Sequence, residues 1–596
     1  MSLRHLAAIA AACSILLSLP AVADVDLDET VTVTATRTPL ALADALAPVI
    51  IITGDELRRT ATFDLAEALR FRAGIEIGRN GGPGQAASLF LRGTNSNHTQ
   101  VLIDGVRINP GTLGGAAIHH IRPADVERIE IVKGPRSTLY GTEAIGGVIN
   151  IITRRAQSPL ALEAEAGAGA YGTRSGGAGV RARRGDWAAG LRADVLATDG
   201  FPPRADGALD RGYDNRTLHA RIGRDAGPLR AEVRHWQAVG NVEYVDFFGA
   251  PLDQDFANRL TAAEFEWRTD ARRTLLRASR AEDEIRQRQS PDHVRTDRST
   301  LDWQTDWRLA DAHEFTAGAT LSRERTVALL FGSGFDEQPA TRAALLQWRF
   351  DDARTRALAA VRYSDHDAFG DTVNFNIEAG RALDARWDLI VAAGSAYRAP
   401  DSTQRYGVAG NPDLRPERSR NVELGLRGKF GEYGRLAWQL YENRIDDLVT
   451  FDGQTFALAN IDRARIRGSE LSYTHDAGRW YWRQALIVQQ PRDRATGDPL
   501  PRRARRSVQG ALGWRPNDAW QVGADLLATS PRKDSGFSAD YIPGYVLVNL
   551  SAEWRPAPAW TVAARLENAL DADYETALGF AQAGRSLFVR LQWANW

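Results

Sequence analysis

In the later part of the chain, hydrophobic and polar positions alternate with period two. Across Trp187-Ala188-Ala189-Gly190-Leu191-Arg192-Ala193-Asp194-Val195, the odd positions are apolar and the even positions include Arg192 and Asp194. One apolar face backing one polar face predicts a β-strand with lipid on one side and water on the other. The final segment repeats the pattern. Leu587, Val589, Leu591 and Trp593 share one face, and Arg590 and Gln592 the other, with Phe588 as the exception on that second face. A soluble sandwich shows the same alternation, so periodicity alone does not decide the class.

Residues 40–157 follow a different pattern and read as a compact α/β unit. Val49-Ile50-Ile51-Ile52 is a short apolar strand, and Thr53 with Glu56 has capping-box spacing ahead of a short helix. Asp64 to Arg70 is a second helical stretch. Val101-Leu102-Ile103, Ile129-Glu130-Ile131-Val132 and Val148-Ile149-Asn150-Ile151-Ile152 are further strand candidates, with glycines marking the turns between them.

Composition sharpens this division. The chain has 596 residues, formal net charge −1 and mean hydropathy −0.34. That balance argues against nucleic-acid binding and against a disordered acidic tail. Beyond the N-terminus no apolar run is long enough for a membrane helix, whereas the alternating strands of a membrane barrel average out as hydrophilic. All 16 tryptophans lie at or after Trp187, and tryptophan favours membrane–water interfaces. Residues 158–596 allow about 20 residues per strand and connection in a 22-stranded barrel. The fold expected is thus a transmembrane antiparallel β-barrel of about 22 strands, its lumen holding an N-terminal α/β plug. The boundaries expected are 1–23 for a signal peptide, 24–39 for a leading segment, 40–157 for the plug and 158–596 for the barrel. Arg4, the apolar run from Leu6 to Leu19 and Ala21-Val22-Ala23 carry the signal-peptide reading. The single Cys, Cys13, falls inside it, so the mature chain has no thiol for a disulfide or a metal.

Motifs of catalysis are missing from the sequence. Gly81-Gly82-Pro83-Gly84 lacks the strand–helix frame of a dinucleotide fingerprint, and there is no phosphate-binding loop, HExxH or nucleophile elbow. The chain is therefore read as a non-enzyme. His119-His120 is either a metal or haem ligand pair or part of a polar loop.

Four stretches of the N-terminal unit resemble the TonB-dependent outer-membrane receptors. They are Arg79-Asn80-Gly81-Gly82-Pro83-Gly84-Gln85, Leu91-Arg92-Gly93-Thr94-Asn95, Val101-Leu102-Ile103-Asp104-Gly105-Val106-Arg107 and Gly134-Pro135-Arg136-Ser137-Thr138-Leu139-Tyr140-Gly141. Gly146-Gly147-Val148-Ile149-Asn150-Ile151-Ile152-Thr153 closes the unit, and Tyr397-Arg398-Ala399-Pro400, Asn411-Pro412-Asp413-Leu414 and Glu567-Asn568 to Asp573-Tyr574-Glu575 fit the family's barrel signatures. The match spans nearly the whole mature chain and is nearest to receptors of cobalamin.

The resemblance implies active import of cobalamin or a related corrinoid across the outer membrane of a Gram-negative bacterium. The partners it implies are TonB with its ExbB/ExbD energy supply, outer-membrane lipid and the β-barrel assembly machinery, for a monomer that binds no nucleic acid. Glu29-Thr30-Val31-Thr32-Val33-Thr34-Ala35 resembles the TonB box: a β-prone segment near a free N-terminus can add to a partner's sheet edge. Its other reading is an ordinary leading strand of the plug. Matched to cobalamin receptors, the ligand contacts are Ala86, Ser88, Asn95, Leu113 and Gly114 of the plug and Phe537 of the barrel. Ala86 and Gly114 depart from larger residues of the pattern, and Phe537 lacks a hydroxyl. Calcium is implied at Asp199, Asp206, Asp210, Asp246 and Asp253, since carboxylates on mobile loops can supply its 6–8 oxygens. Trp593 is in phase with the lipid face as an assembly signal, and the terminal Trp596 is out of phase.

Other readings remain open. A ferric-siderophore or haem receptor is the alternative within the family, although Tyr397 to Leu414 contains no His. Outside it, a passive porin would need neither a folded leading domain nor a TonB box, and a soluble extracellular β-domain would not need the plug motifs.

Overall fold

The structure is a computed structural model that describes residues 32–33 and 40–595, apart from residues 73, 112–114, 247, 432 and 536–537. The described residues form a closed antiparallel barrel of 22 strands around a small mixed α/β domain. Ser333–Glu337 and Ala340–Asp351 count as one strand, interrupted at Gln338-Pro339, because both pair with His313–Leu330. Proline has no N–H to give to a ladder, which accounts for the break. The first barrel strand, Ala161–Gly169, pairs with the last, Ser586–Ala594, and closes the ring.

Period two survives in the fold as two faces. Trp187, Leu191 and Val195 are exposed to the outside, while Arg192 and Asp194 between them are buried toward the lumen. In the last strand Leu587, Val589 and Leu591 face out and Arg590 faces in. Phe588 also faces in, where its ring meets Phe63 of the inner domain edge-on at 5.3 Å. The break in the pattern is therefore a packing contact, with the apolar ring sitting against the plug.

Connections at one rim are two-residue turns, as at Arg184/Trp187, Ala226/Leu229, Ala477/Trp480, Asn517/Trp520 and Ala557/Trp560. Short turns mark the periplasmic rim of such barrels. Most of the tryptophans gather there, and Trp480–Trp514 and Trp520–Trp554 stack across neighbouring strands at 5.6 and 5.8 Å. At the opposite rim the chain makes its longest excursions, between Arg398 and Glu417 and between Glu567 and Ser586.

The plug is a five-stranded sheet in the order Val49–Thr53, Val126–Lys133, Gly147–Thr153, Thr99–Ile103, Val106–Arg107. Only the pair Thr99–Ile103 and Gly147–Thr153 is parallel. Helix Gly54–Arg59 begins where expected, with Thr53 and Glu56 completing a reciprocal capping box. Helix Leu65–Arg70 is capped by Asp64. Leu57, Leu65 and Leu69 pack with Ile129, Ile131, Ile149 and Ile151 in a dry core. A separate hairpin, Ile75–Arg79 with Ala87–Leu91, carries the glycine-rich turn toward the extracellular rim.

Candidate functional site

Three plug loops meet at the extracellular side. The hairpin loop Asn80–Ala86 comes close to the wall, where Gly84 has φ +75° and a Cβ there would lie 2.2 Å from the Tyr213 ring. Only glycine fits that approach. Gln85 Nε2 donates to the Glu243 carbonyl at 2.6 Å and fixes the loop to a barrel strand. Ser96 Oγ accepts from Leu89 N–H at 3.0 Å, and the same hydroxyl faces Gly115, so the second and third loops gather beside the hairpin. Of the expected ligand contacts, Ala86 is exposed and Ser88 and Asn95 are half-buried. Asn95 accepts from Arg503 of the wall. Leu113, Gly114 and Phe537 lie outside the described residues.

Beside the third loop stands a surface that the sequence did not point to. Thr403, in the short helix Ser402–Tyr406, donates to the carbonyl of Gly111. The Arg405 guanidinium lies 5.0 Å from the Phe369 ring and 4.7 Å from the Tyr406 ring, and Phe335 is 6.0 Å from Tyr406. Flat rings with a cation between them suit a large, partly conjugated ligand. These residues come from three separate segments, and no local motif announces them.

Below the loops, the plug is held by charge. Arg92 pairs with Glu423 at 2.9 Å and lies 4.6 Å from the Tyr441 ring. Lys133 pairs with Glu470, Arg136 with Glu378, and Arg72 with Asp525 at 2.8 Å. His98 meets Glu417 at 3.0 Å, and Arg398 donates to the same carboxylate at 2.8 Å, all three side chains being fully buried. The stretch Tyr397-Arg398-Ala399-Pro400 is thus a plug-docking element: Ala399 N–H also donates to Thr142 Oγ1 at 3.1 Å.

Asp104, between the strands Thr99–Ile103 and Val106–Arg107, accepts from Thr153 N–H at 2.9 Å and from Arg221 at 2.7 Å. Burial alone would raise its pKa, but Arg221 and Arg234 outweigh that and hold it well below the usual carboxylate range. Glu76 shows the reverse balance, with burial pushing it up against the pull of Arg532.

His119 and His120 are neither a polar loop nor a ligand pair in this arrangement. They sit in a buried turn, Ile118–His120, where the His120 ring stacks on Phe256 at 3.6 Å and its Nδ1 meets the Tyr213 hydroxyl at 2.9 Å. Burial, then the nearby Arg79 charge, lowers His119 to about 4, and burial lowers His120 as well.

The five candidate calcium ligands are not gathered. Asp199, Asp206 and Asp210 are exposed, Asp246 caps its own turn by accepting from Phe248 and Ala250 N–H, and Asp253 lies half-buried opposite Glu243. Among the described residues no three His, Cys, Asp or Glu side chains are grouped to hold a metal ion. The residues as arranged do not fit a calcium shell.

At the periplasmic end a cavity of about 530 Å³ separates plug from wall, lined by Pro48, Val49 and Glu56 on one side and Arg386, Gln439 and Glu470 on the other. Thr32–Val33 pairs antiparallel with Leu40–Ala41. The rest of the expected TonB box, Glu29, Thr30, Val31, Thr34 and Ala35, lies outside the described residues, as does Trp596.

A 22-stranded membrane barrel whose lumen is filled by a folded domain defines a plugged outer-membrane receptor, and an open pore would lack such a filling. The family described as "TonB dependent receptor-like, beta-barrel" matches residues 165–569, and the "TonB-dependent Receptor Plug Domain" matches residues 41–148. The chain belongs to the TonB-dependent receptors. It is 27% identical over 558 residues to the vitamin B12 transporter BtuB of Photobacterium profundum, covering 89% of this chain and 90% of that one. It is 28% identical over 557 residues to BtuB of Vibrio vulnificus, covering 90% and 89%. Its fold matches the siderophore receptor PirA of Acinetobacter baumannii with TM-score 0.80 at 16% identity, over 92% of this chain and 98% of that one. That last likeness concerns the fold.

Proposed function

We propose that this protein imports cobalamin or a closely related corrinoid, with TonB supplying the work. The observation that carries the reading is the end-to-end match to two B12 transporters, through plug and barrel alike. The geometry is compatible with it. Ligand settles on the plug loops at Ala86, Ser88 and Asn95 and against the Arg405–Phe369–Tyr406 surface. The polar plug–wall contacts release more readily than an apolar core would, because water can replace each ion pair as it opens. A pull on the N-terminal segment then shifts the plug and opens a path continuous with the periplasmic cavity.

Equilibrium binding of cyanocobalamin to the detergent-purified protein tests the reading. Saturable binding is expected, measured with calcium and with chelator. Tyr406→Ala should weaken it about threefold to tenfold, the range for losing one aromatic contact. Absence of binding would overturn the corrinoid assignment.

A further inference from the structure

The outward face of the extracellular rim carries a row of arginines. In the strands Glu417–Phe430, Gly434–Asp452, Ala457–Ala477 and Trp480–Asp493, Arg420 lies opposite Arg444, Arg444 opposite Arg465, and Arg465 opposite Arg492. All four share the parity of lipid-facing neighbours: Val422 and Leu424, Trp438 and Leu440, Leu471, and Leu486 and Val488 are exposed. Residues of the other parity, such as Asn421, Asn443, Ile466 and Gln489, are buried. The row therefore points away from the lumen and takes no part in ligand capture.

Its height is fixed by the strands. Arg420 and Arg444 stand ten residues above the turn at Phe430/Gly434, and Arg465 and Arg492 twelve above the turn at Ala477/Trp480. With about 3.3 Å per residue and a tilt of 35–45°, that is roughly 23–27 Å for the first two and roughly 28–32 Å for the others, at the outer edge of the apolar band of about 25 Å. This is the level of the outer-leaflet headgroups.

Like charges directly opposite one another in a sheet repel. Here one carboxylate answers them: Glu442 accepts from Arg444 at 2.6 Å, from Arg465 at 2.8 Å and from Arg467 at 2.7 Å. Arg420 makes no ion pair among the described residues. The rest of the outer rim is different. There Arg259 pairs with Glu282, Arg280 with Asp297 at 2.7 Å, Arg325 with Asp336 at 2.5 Å and Arg342 with Asp365 at 3.4 Å. In these four pairs each arginine has a carboxylate of its own. Guanidinium forks match phosphate oxygens in pairs, and four of them span about three strand spacings, roughly 14 Å.

We infer that this row binds the phosphate groups of an outer-leaflet lipid headgroup. The test titrates the detergent-purified chain with diphosphoryl lipid A, counting retained lipid by native mass spectrometry, with phosphatidylcholine and inorganic phosphate as controls. Wild type should retain lipid A in preference to phosphatidylcholine, and inorganic phosphate at the same concentration should not displace it. At about fivefold per arginine, Arg420→Gln with Arg444→Gln, Arg465→Gln and Arg492→Gln should lose more than a hundredfold in affinity. The matching set Arg259→Gln, Arg280→Gln, Arg325→Gln and Arg342→Gln should bind as wild type. Glu442→Gln, which removes the carboxylate shared by Arg444, Arg465 and Arg467, should bind more tightly, a gain that misfolding cannot produce. Equal losses in the two fourfold variants, equal retention of phosphatidylcholine, displacement by inorganic phosphate or no gain in Glu442→Gln would each overturn the proposal.

Discussion

His119 and His120 tie the stability of the plug to pH. Both are buried as neutral rings, with His119 lowered to about 4 by burial and by Arg79. An unfolded chain takes up these protons below its ordinary pKa of about 6.5, whereas native His119 resists until about pH 4 and burial holds His120 below its ordinary value as well. The unfolded state thus binds more protons in that window, and stability falls as pH falls through it, by about 3 kcal/mol from His119 alone. Denaturant titrations of the plug at pH 7 and pH 4.5 should show the loss, and the double variant His119→Phe/His120→Phe should flatten it. Asp104 is the complementary case. Asp104→Asn leaves Arg221 and Arg234 buried around a neutral amide, and should loosen the plug by about 3–5 kcal/mol. Hydrogen exchange of the strand Gly147–Thr153 is the readout, since Asp104 holds Thr153. Unchanged protection would show that the arginines find other partners.

At the scale of elements, the N-terminal segment sets the coupling. Val33 is paired with Leu40, and a proline there removes a ladder donor whether the partner strand belongs to the plug or to TonB. Val33→Pro should therefore abolish energised uptake and leave ligand affinity at the wild-type value. Uptake at the wild-type rate would return this segment to the role of an ordinary leading strand. Elements of plug and barrel were legible in the sequence because their signals are local: in the plug an apolar run at Val49–Ile52 and a capping box at Thr53–Glu56, in the barrel alternation at Trp187–Val195 and Leu587–Trp593. The turn Ile118–His120 was not, since its burial depends on Phe256 and Tyr213, far away in sequence. The same holds for His98 with Glu417 and Arg398, and for Arg405 with Phe369 and Tyr406. What each of them touches is set by barrel closure, which no local motif records.

For the whole molecule, the barrel is a stiff shell and the plug a polar insert. The wall is tied by ladders from strand to strand all the way round, while many of the strongest plug-to-wall contacts are single ion pairs such as Arg92–Glu423 and Arg72–Asp525. A force applied from the periplasm meets the weaker set first. The proposed role of this plugged barrel is to move a corrinoid inward at the expense of TonB-transmitted work. It is tested most directly by uptake of radiolabelled cyanocobalamin into cells whose only outer-membrane B12 receptor is this protein, with and without functional TonB. Accumulation is expected to require both this protein and TonB. Accumulation that persists without TonB, or none with TonB present in cells where the protein is folded and surface-exposed, would contradict it.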